Sequence, residues 1–341
     1  MYNLQKNYSL KSLNTFGIDA KAKYYLTFDA PQDFAQFFDQ YPSLKLEKKL
    51  FLGAGSNLLF VNDFDGLIIH PKIEGIKCVH EDGNNIDLEV GAGVNWDFFV
   101  NYCVENEYYG IENLSLIPGN IGAVPVQNIG AYGIEASSLV YQVNGITLNT
   151  LQSKSINGKD CEFDYRTSLF KEKLKDNFLV TSVIFRLSKQ PNFKIQYEGL
   201  VDKIAQFGPL NIQNIRKAII AIRQAKLPDP AVLGNAGSFF KNPIVSEDQS
   251  IALRQQYSDI PVYPFKPGLV KVAAGWLIEK AGWKGSSLGN AAVHDRQALV
   301  LINKGEATGD EIFQLSQAIA TDVKSKFDIT LEREVQLIKA D

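Results

Sequence analysis

The sequence predicts a mixed α and β fold built from short strands, not a regular doubly wound sheet. Short apolar or alternating runs end again and again in glycine turns, and the regular crossover helices of a parallel sheet are missing between them. The length, 341 residues, asks for two or three domains.

In chain order, residues 24–28 (YYLTF) read as a strand. Residues 31–41 (PQDFAQFFDQY) read as a helix with proline in its first turn. Residues 49–52 form a strand that runs into Gly53-Ala54-Gly55-Ser56-Asn57, and 58–60 and 66–70 are further strands. Residues 86–90 alternate and meet a second glycine turn, Gly91-Ala92-Gly93, before a helix over 96–107. Residues 178–187 form a long strand. Ile212, Ile215, Ile219 and Ile222 recur at helical spacing, which predicts a helix over 211–226, stopped by KLPDP at 226–230. A helix is expected over 270–281. Thr308 and Glu311 form a capping box for another, with Ile312, Leu315, Ile319, Val323 and Phe327 along one face. The chain closes on a strand over 329–338. Domain boundaries fall near Lys77 and Gly208: residues 1–77 joined by 327–341, then 78–208, then 209–326.

Composition narrows the function. Thirty-five Lys and Arg against 38 Asp and Glu leave a net charge of −3, which does not suit a general phosphate-backbone binder. Three histidines make a dense histidine metal site unexpected. Cys78, Cys103 and Cys161 are odd in number and have no C-x-x-C spacing, which suits reduced thiols. The first residues have no apolar signal region, and no run of 18 apolar residues exists. A cytoplasmic, monomeric protein without nucleic-acid or membrane partners is expected.

Three loops concentrate glycine with small and amide residues: 53–57, 91–93, and 118–123 continuing through Gln127 to Gly133. Glycine lets a backbone approach a ligand closely, so successive N–H groups can converge on a pyrophosphate; the same residues also make plain tight turns. No loop matches G-x-x-x-x-G-K-[ST], and none is a G-x-G-x-x-G opening a helix after a strand, so a dinucleotide here would be held outside the P-loop and Rossmann modes. Further on, Ser238 sits in GNAGSFFKNP as a nucleophile, proton donor or turn residue; it lacks the G-x-S-x-G context of an α/β-hydrolase. Tyr165-Arg166-Thr167-Ser168 is either an anion site or surface, since Arg suits bidentate carboxylate contact. Alternation over 331–337 places Leu331, Arg333, Val335 and Leu337 on one strand face. Glu332, Glu334 and Gln336 fall on the other, as acid groups or a solvated face.

Taken together, these segments resemble one family, the flavoenzyme UDP-N-acetylenolpyruvoylglucosamine reductase. The matching stretches are NTFG at 14–17, GAGSN at 53–57, IPGNIGAVPVQNIGAYG at 117–133, YRTSLFK at 165–171, KLPDP at 226–230, GNAGSFFKNP at 234–243, AAGWLIEKAG at 273–282, AAVHDRQALVLIN at 291–303 and LEREV at 331–335. They run in order over nearly the whole chain. One departure is Asn290, where the family usually has a second glycine.

The resemblance implies an α+β protein: a two-subdomain FAD-binding fold of the vanillyl-alcohol-oxidase type plus a third α+β substrate domain. It implies that NADPH reduces the FAD and that UDP-N-acetylglucosamine enolpyruvate then takes hydride at C3. Ser238 would protonate C2, with Arg166 and Glu334 polarising the substrate carboxylate. The FAD cradle would use Gly53, Ala54, Gly55, Ser56, Asn57, Pro118, Gly119, Gly122, Ala123, Gln127, Gly130, Ala131, Tyr132 and Gly133. Tyr197 would close over the UDP-sugar, as in one subgroup, and Lys226, Asn242, Lys284 and Gln297 would hold its diphosphate and uridine. No metal is implied. Arg166, Lys226, Lys241 and Lys284 would attract the anionic substrate locally, since the net charge does not. A different flavin oxidoreductase of the same superfamily would share the FAD loops but not the third-domain segments.

Overall fold

The computed structural model describes residues 1–339. The chain divides into two compact units: residues 1–8, 22–54 and 65–224 form one, and residues 9–21, 55–64 and 225–341 the other.

The first unit holds two sheets. One has strands Tyr2–Ser9, Lys21–Phe28, Phe64–Pro71 and Lys49–Phe51 in that spatial order, the last two parallel. Helix Pro31–Gln40 covers it. Its spacing puts Phe34, Phe37 and Phe38 on one face, all buried against Leu26, Leu67 and Ile69. The second sheet has five strands in the order Gln152–Asn157, Val140–Thr147, Phe178–Ser188, Asn85–Gly91, Ile76–Glu81, all antiparallel. Val90, Val143, Val183 and Phe185 line its inner face, where helix Trp96–Glu105 lays Trp96, Phe99 and Val100. Helix Ile212–Lys226 buries Ile215, Ala218 and Ile219 against Leu200 and Ile204 of helix Leu200–Ala205.

The second unit contains a four-stranded sheet in the order Asn235–Ser238, Val300–Asn303, Ala291–Val293, Ser287–Leu288, and a three-stranded one in the order Ile244–Ser246, Leu269–Val272, Val262–Lys266. The Thr308–Glu311 capping box opens helix Gly309–Phe327, and the predicted Ile312, Leu315, Ile319, Val323 and Phe327 are all buried.

Two expectations need correction. Residues 270–281 are not one helix: Leu269–Val272 is the middle strand of the three-stranded sheet, and only Ala274–Lys280 is helical. The pattern VKVAA satisfies both periods, and pairing on both sides settled it for the strand. The closing strand is likewise reduced to Gln336–Ile338, which pairs in parallel with Leu58–Phe60. Upstream of it Arg333 makes a single bridge with Phe240, so strict two-residue alternation does not run through 331–337.

Candidate active site

In the first unit the glycine loops converge main chain on main chain. Gly53 lies against Asn120 and Ala123, with room for no more than ordinary contact: a Cβ there would stand 3.8 Å from each neighbouring Cβ. Gly122 lies closer still to Ala92, where a Cβ would stand 3.0 Å from the Ala92 Cβ. The Gly122 N–H donates to the Ala92 carbonyl (2.9 Å), the Ile121 N–H to Val94 (2.9 Å) and the Trp96 N–H to Gly119 (3.0 Å). This closeness fits a cradle in which backbone, not side chain, meets a cofactor. Beyond the short helix Val124–Gln127, Gly130–Ala131 pairs with Ile134–Glu135 around the turn Tyr132-Gly133.

A buried amide missed in the sequence organises this loop. The Asn128 side chain donates to the Glu135 carboxylate and the Asp164 carbonyl (3.0 Å each) and accepts from the Ser137 N–H (3.0 Å). The Ser168 hydroxyl donates to the Val126 carbonyl (2.9 Å). Residues 164–168 are thereby strapped to 126–130. Arg166 stands inside the strap at φ +56, and its guanidinium donates to the Gly130 carbonyl (2.6 Å) and the Asn128 carbonyl (3.4 Å). The structure thus joins Arg166 to the third glycine loop. Tyr197 meets Tyr132 edge to face, ring centroids 4.8 Å apart.

In the second unit, Gly55 accepts the Thr15 N–H (3.1 Å). The Asn57 amide donates to the Glu334 carbonyl (3.2 Å), and the Asn57 carbonyl accepts from Gln336 N–H (3.1 Å). Ser238 ends strand Asn235–Ser238 opposite Val300, exposed. The next residue, Phe239, is fully buried; its N–H donates to Leu299 and its carbonyl accepts the Glu334 N–H, both at 2.8 Å. Ser238 and Glu334 therefore lie on adjoining segments, with Asn57 tied to the second. His294 is buried, and burial holds its pKa below the ordinary range.

The remaining expected residues are spread along the same unit. Lys226 precedes Leu227, which packs against Ala292, Val300 and Ile302. The Asn242 carboxamide oxygen accepts the Ala274 N–H at the start of helix Ala274–Lys280 (3.0 Å). Gln297 accepts from the Leu299 N–H (3.3 Å). Lys284 pairs with Glu279 (3.0 Å) and Lys241 with Glu332, so both ammonium groups have a carboxylate partner within the chain.

Two family matches define the class, a flavin-dependent oxidoreductase with a two-subdomain FAD-binding fold and a third α+β domain. An FAD-binding-domain family matches residues 45–152, and the C-terminal domain of UDP-N-acetylenolpyruvoylglucosamine reductase matches residues 229–338. The UDP-N-acetylenolpyruvoylglucosamine reductase of Amoebophilus asiaticus is 47% identical over 339 residues, covering 99% of this chain and 100% of that protein. That of Bacteroides fragilis (strain YCH46) is 44% identical over 98% of this chain and 100% of its own length. A crystal structure of the reductase from Thermus caldophilus shares the fold at a TM-score of 0.70, 19% identity and 99% coverage of both chains. The chain belongs to the UDP-N-acetylenolpyruvoylglucosamine reductase family.

Proposed function

We propose that the protein reduces UDP-N-acetylglucosamine enolpyruvate to UDP-N-acetylmuramate in peptidoglycan precursor synthesis, as a cytoplasmic monomer with NADPH as reductant. The observation that carries this is the Phe239–Glu334 hydrogen bond, which holds Ser238 and Glu334 on adjoining segments.

When bound, FAD supplies hydride for C3 of the enolpyruvyl group; the cradle residues would be Gly53, Ala54, Gly55, Ser56 and Asn57 with Pro118, Gly119, Gly122, Ala123, Gln127, Gly130, Ala131, Tyr132 and Gly133. Hydride addition to a double bond conjugated with a carboxylate pushes an electron pair into that carboxylate. Arg166, pre-oriented by the Gly130 and Asn128 carbonyls, offsets the developing charge. Glu334 helps to polarise the same group. Ser238 gives its hydroxyl proton to C2 of the enolate, a base strong enough to take it, and recovers a proton through water with help from Lys226. Tyr197, Lys226, Asn242, Lys284 and Gln297 bind the nucleotide, Tyr197 as the closing tyrosine of its subgroup. The partition into 1–77 with 327–341, 78–208 and 209–326 belongs to the same reading.

Ser238→Ala tests it. Flavin reduction by NADPH, followed at the flavin absorbance, is expected to stay near normal. The enolpyruvyl-dependent reoxidation should slow by about 10²–10⁴-fold, the usual range for a lost general acid. Equal slowing of both half-reactions would make Ser238 a structural residue and sink the assignment.

A further inference from the structure

We propose that Asn113 is a positioning residue that couples the loop bearing Tyr132 to the segment bearing Tyr197, so that order in the first sets order in the second. This rests on reading 127–133 as part of the FAD cradle and Tyr197 as a substrate-side residue. Asn113 sits in the turn Glu112–Leu114 and is 1% exposed. Its side-chain NH₂ has two donors. One reaches the Tyr132 carbonyl at 2.8 Å and the other the Lys194 carbonyl at 2.7 Å. A single planar amide therefore clamps two loops 62 residues apart in sequence, 132 to 194, and its fixed N–H angle allows little independent movement.

Two further contacts make the clamp directional. The Tyr132 ring meets the Tyr197 ring edge to face at 4.8 Å, with planes 77° apart, so the clamped carbonyl and the ring of Tyr132 both address the second loop. Tyr132 is itself backed by Arg223, whose charge acts on its phenol and whose Nε donates to the Leu116 carbonyl (3.2 Å). Helix Ile212–Lys226, which carries Arg223, is pinned by the Arg216 fork on Asp97 at 2.7 and 2.9 Å. Residues 191–196 by contrast form no helix or strand, and Phe193 and Ile195 pack on the cluster that also receives Tyr132. The Tyr132 side of the clamp is thus the stiff one and the 191–197 side the pliable one, and order passes from the first to the second.

The test combines exchange with kinetics. In the wild-type protein, adding FAD to the FAD-depleted full chain should slow backbone hydrogen exchange at 127–133 and also at 190–199. In Asn113→Ala the protection at 127–133 should persist while that at 190–199 falls by roughly fivefold, the equivalent of the one hydrogen bond lost to Lys194. KM for the enolpyruvyl UDP-sugar should then rise by about fivefold, with the rate of flavin reduction by NADPH within about threefold of wild type. If Asn113→Ala does not fold, Asn113→Asp, which keeps the shape but loses the NH₂ donors, should show the same selective loss at 190–199. FAD protecting 127–133 but not 190–199 in the wild type would overturn the coupling, as would an unchanged exchange pattern in both variants. Because exchange needs no substrate, FAD-linked protection of 190–199 in a protein that does not turn over the enolpyruvyl sugar would support the coupling and refute the substrate assignment alone.

Discussion

Gly55→Ala is the sharpest probe of the first glycine loop. Gly55 has φ +64, and a Cβ built on it would stand 1.9 Å from the Leu13 carbonyl oxygen and 2.9 Å from Asn14 Cα. Restoring an ordinary contact of 3.4 Å opens that gap by about 1.5 Å, backbone against backbone, which no rotamer change can absorb. The left-handed conformation costs an alanine about 1–2 kcal/mol, and opening the gap breaks the Thr15–Gly55 hydrogen bond, about 1 kcal/mol more. The total is about 3 kcal/mol, which for a chain of 341 residues lowers the melting temperature by about 4 °C. Two neighbours calibrate this. Gly133 has φ +84 but nothing within 4 Å, so Gly133→Ala carries the conformational cost alone; Gly53 has neither a positive φ nor a contact under 3.8 Å, so Gly53→Ala should melt near wild type. Differential scanning of the three variants, with flavin content read from absorbance, gives the order Gly55 lowest, then Gly133, then Gly53. A Gly55→Ala protein melting above Gly133→Ala would refute the argument from close approach.

Other outcomes follow from single groups. Burial first, then the nearby Lys72 charge, pull the His70 pKa to about 4; the unfolded chain then binds the extra proton between pH 4 and 6.5, so stability falls as pH drops through that window. Urea unfolding should show about 2 kcal/mol less stability at pH 5 than at pH 7 from this group, a slope that His70→Gln removes; equal slopes would rule the linkage out. Cys78 is exposed while Cys103 and Cys161 are buried, and burial pushes Cys161 up to about 12, so a thiol reagent should titrate one cysteine in the native protein and three in guanidinium. Glu334→Gln should turn over about tenfold faster than Glu334→Ala, because the amide keeps a polar group able to hydrogen-bond the substrate carboxylate; equal rates in steady-state assays would argue against a polarising role.

The elements legible in the sequence were those whose signals are local. The proline that opens the helix over 31–41, the isoleucine spacing of 212–226 and the Thr308–Glu311 box each lie within a few turns of one helix, and the helices appear where they were expected. Residues 269–272 escaped because the choice between strand and helix rested on partners at 244–246 and 262–266. The strands Val140–Thr147 and Gln152–Asn157 escaped for the same reason, since their ladders are made with each other and with Phe178–Ser188.

At the candidate site, the sequence by itself determined the residue types. The glycine loops, Arg166, Ser238 and Glu334 stand in ordered stretches that resemble one family, and that resemblance, not composition, singles them out. Tertiary structure alone decided who meets whom. It strapped Arg166 to Gly130 through Asn128, tied Asn57 and Phe239 to Glu334, and set Asn113 between Tyr132 and Lys194. A lone asparagine has no period and no spacing to read. Its worth lies in the carbonyls that the fold brings within 3 Å of its amide, and those come from residues as far apart as 132 and 194.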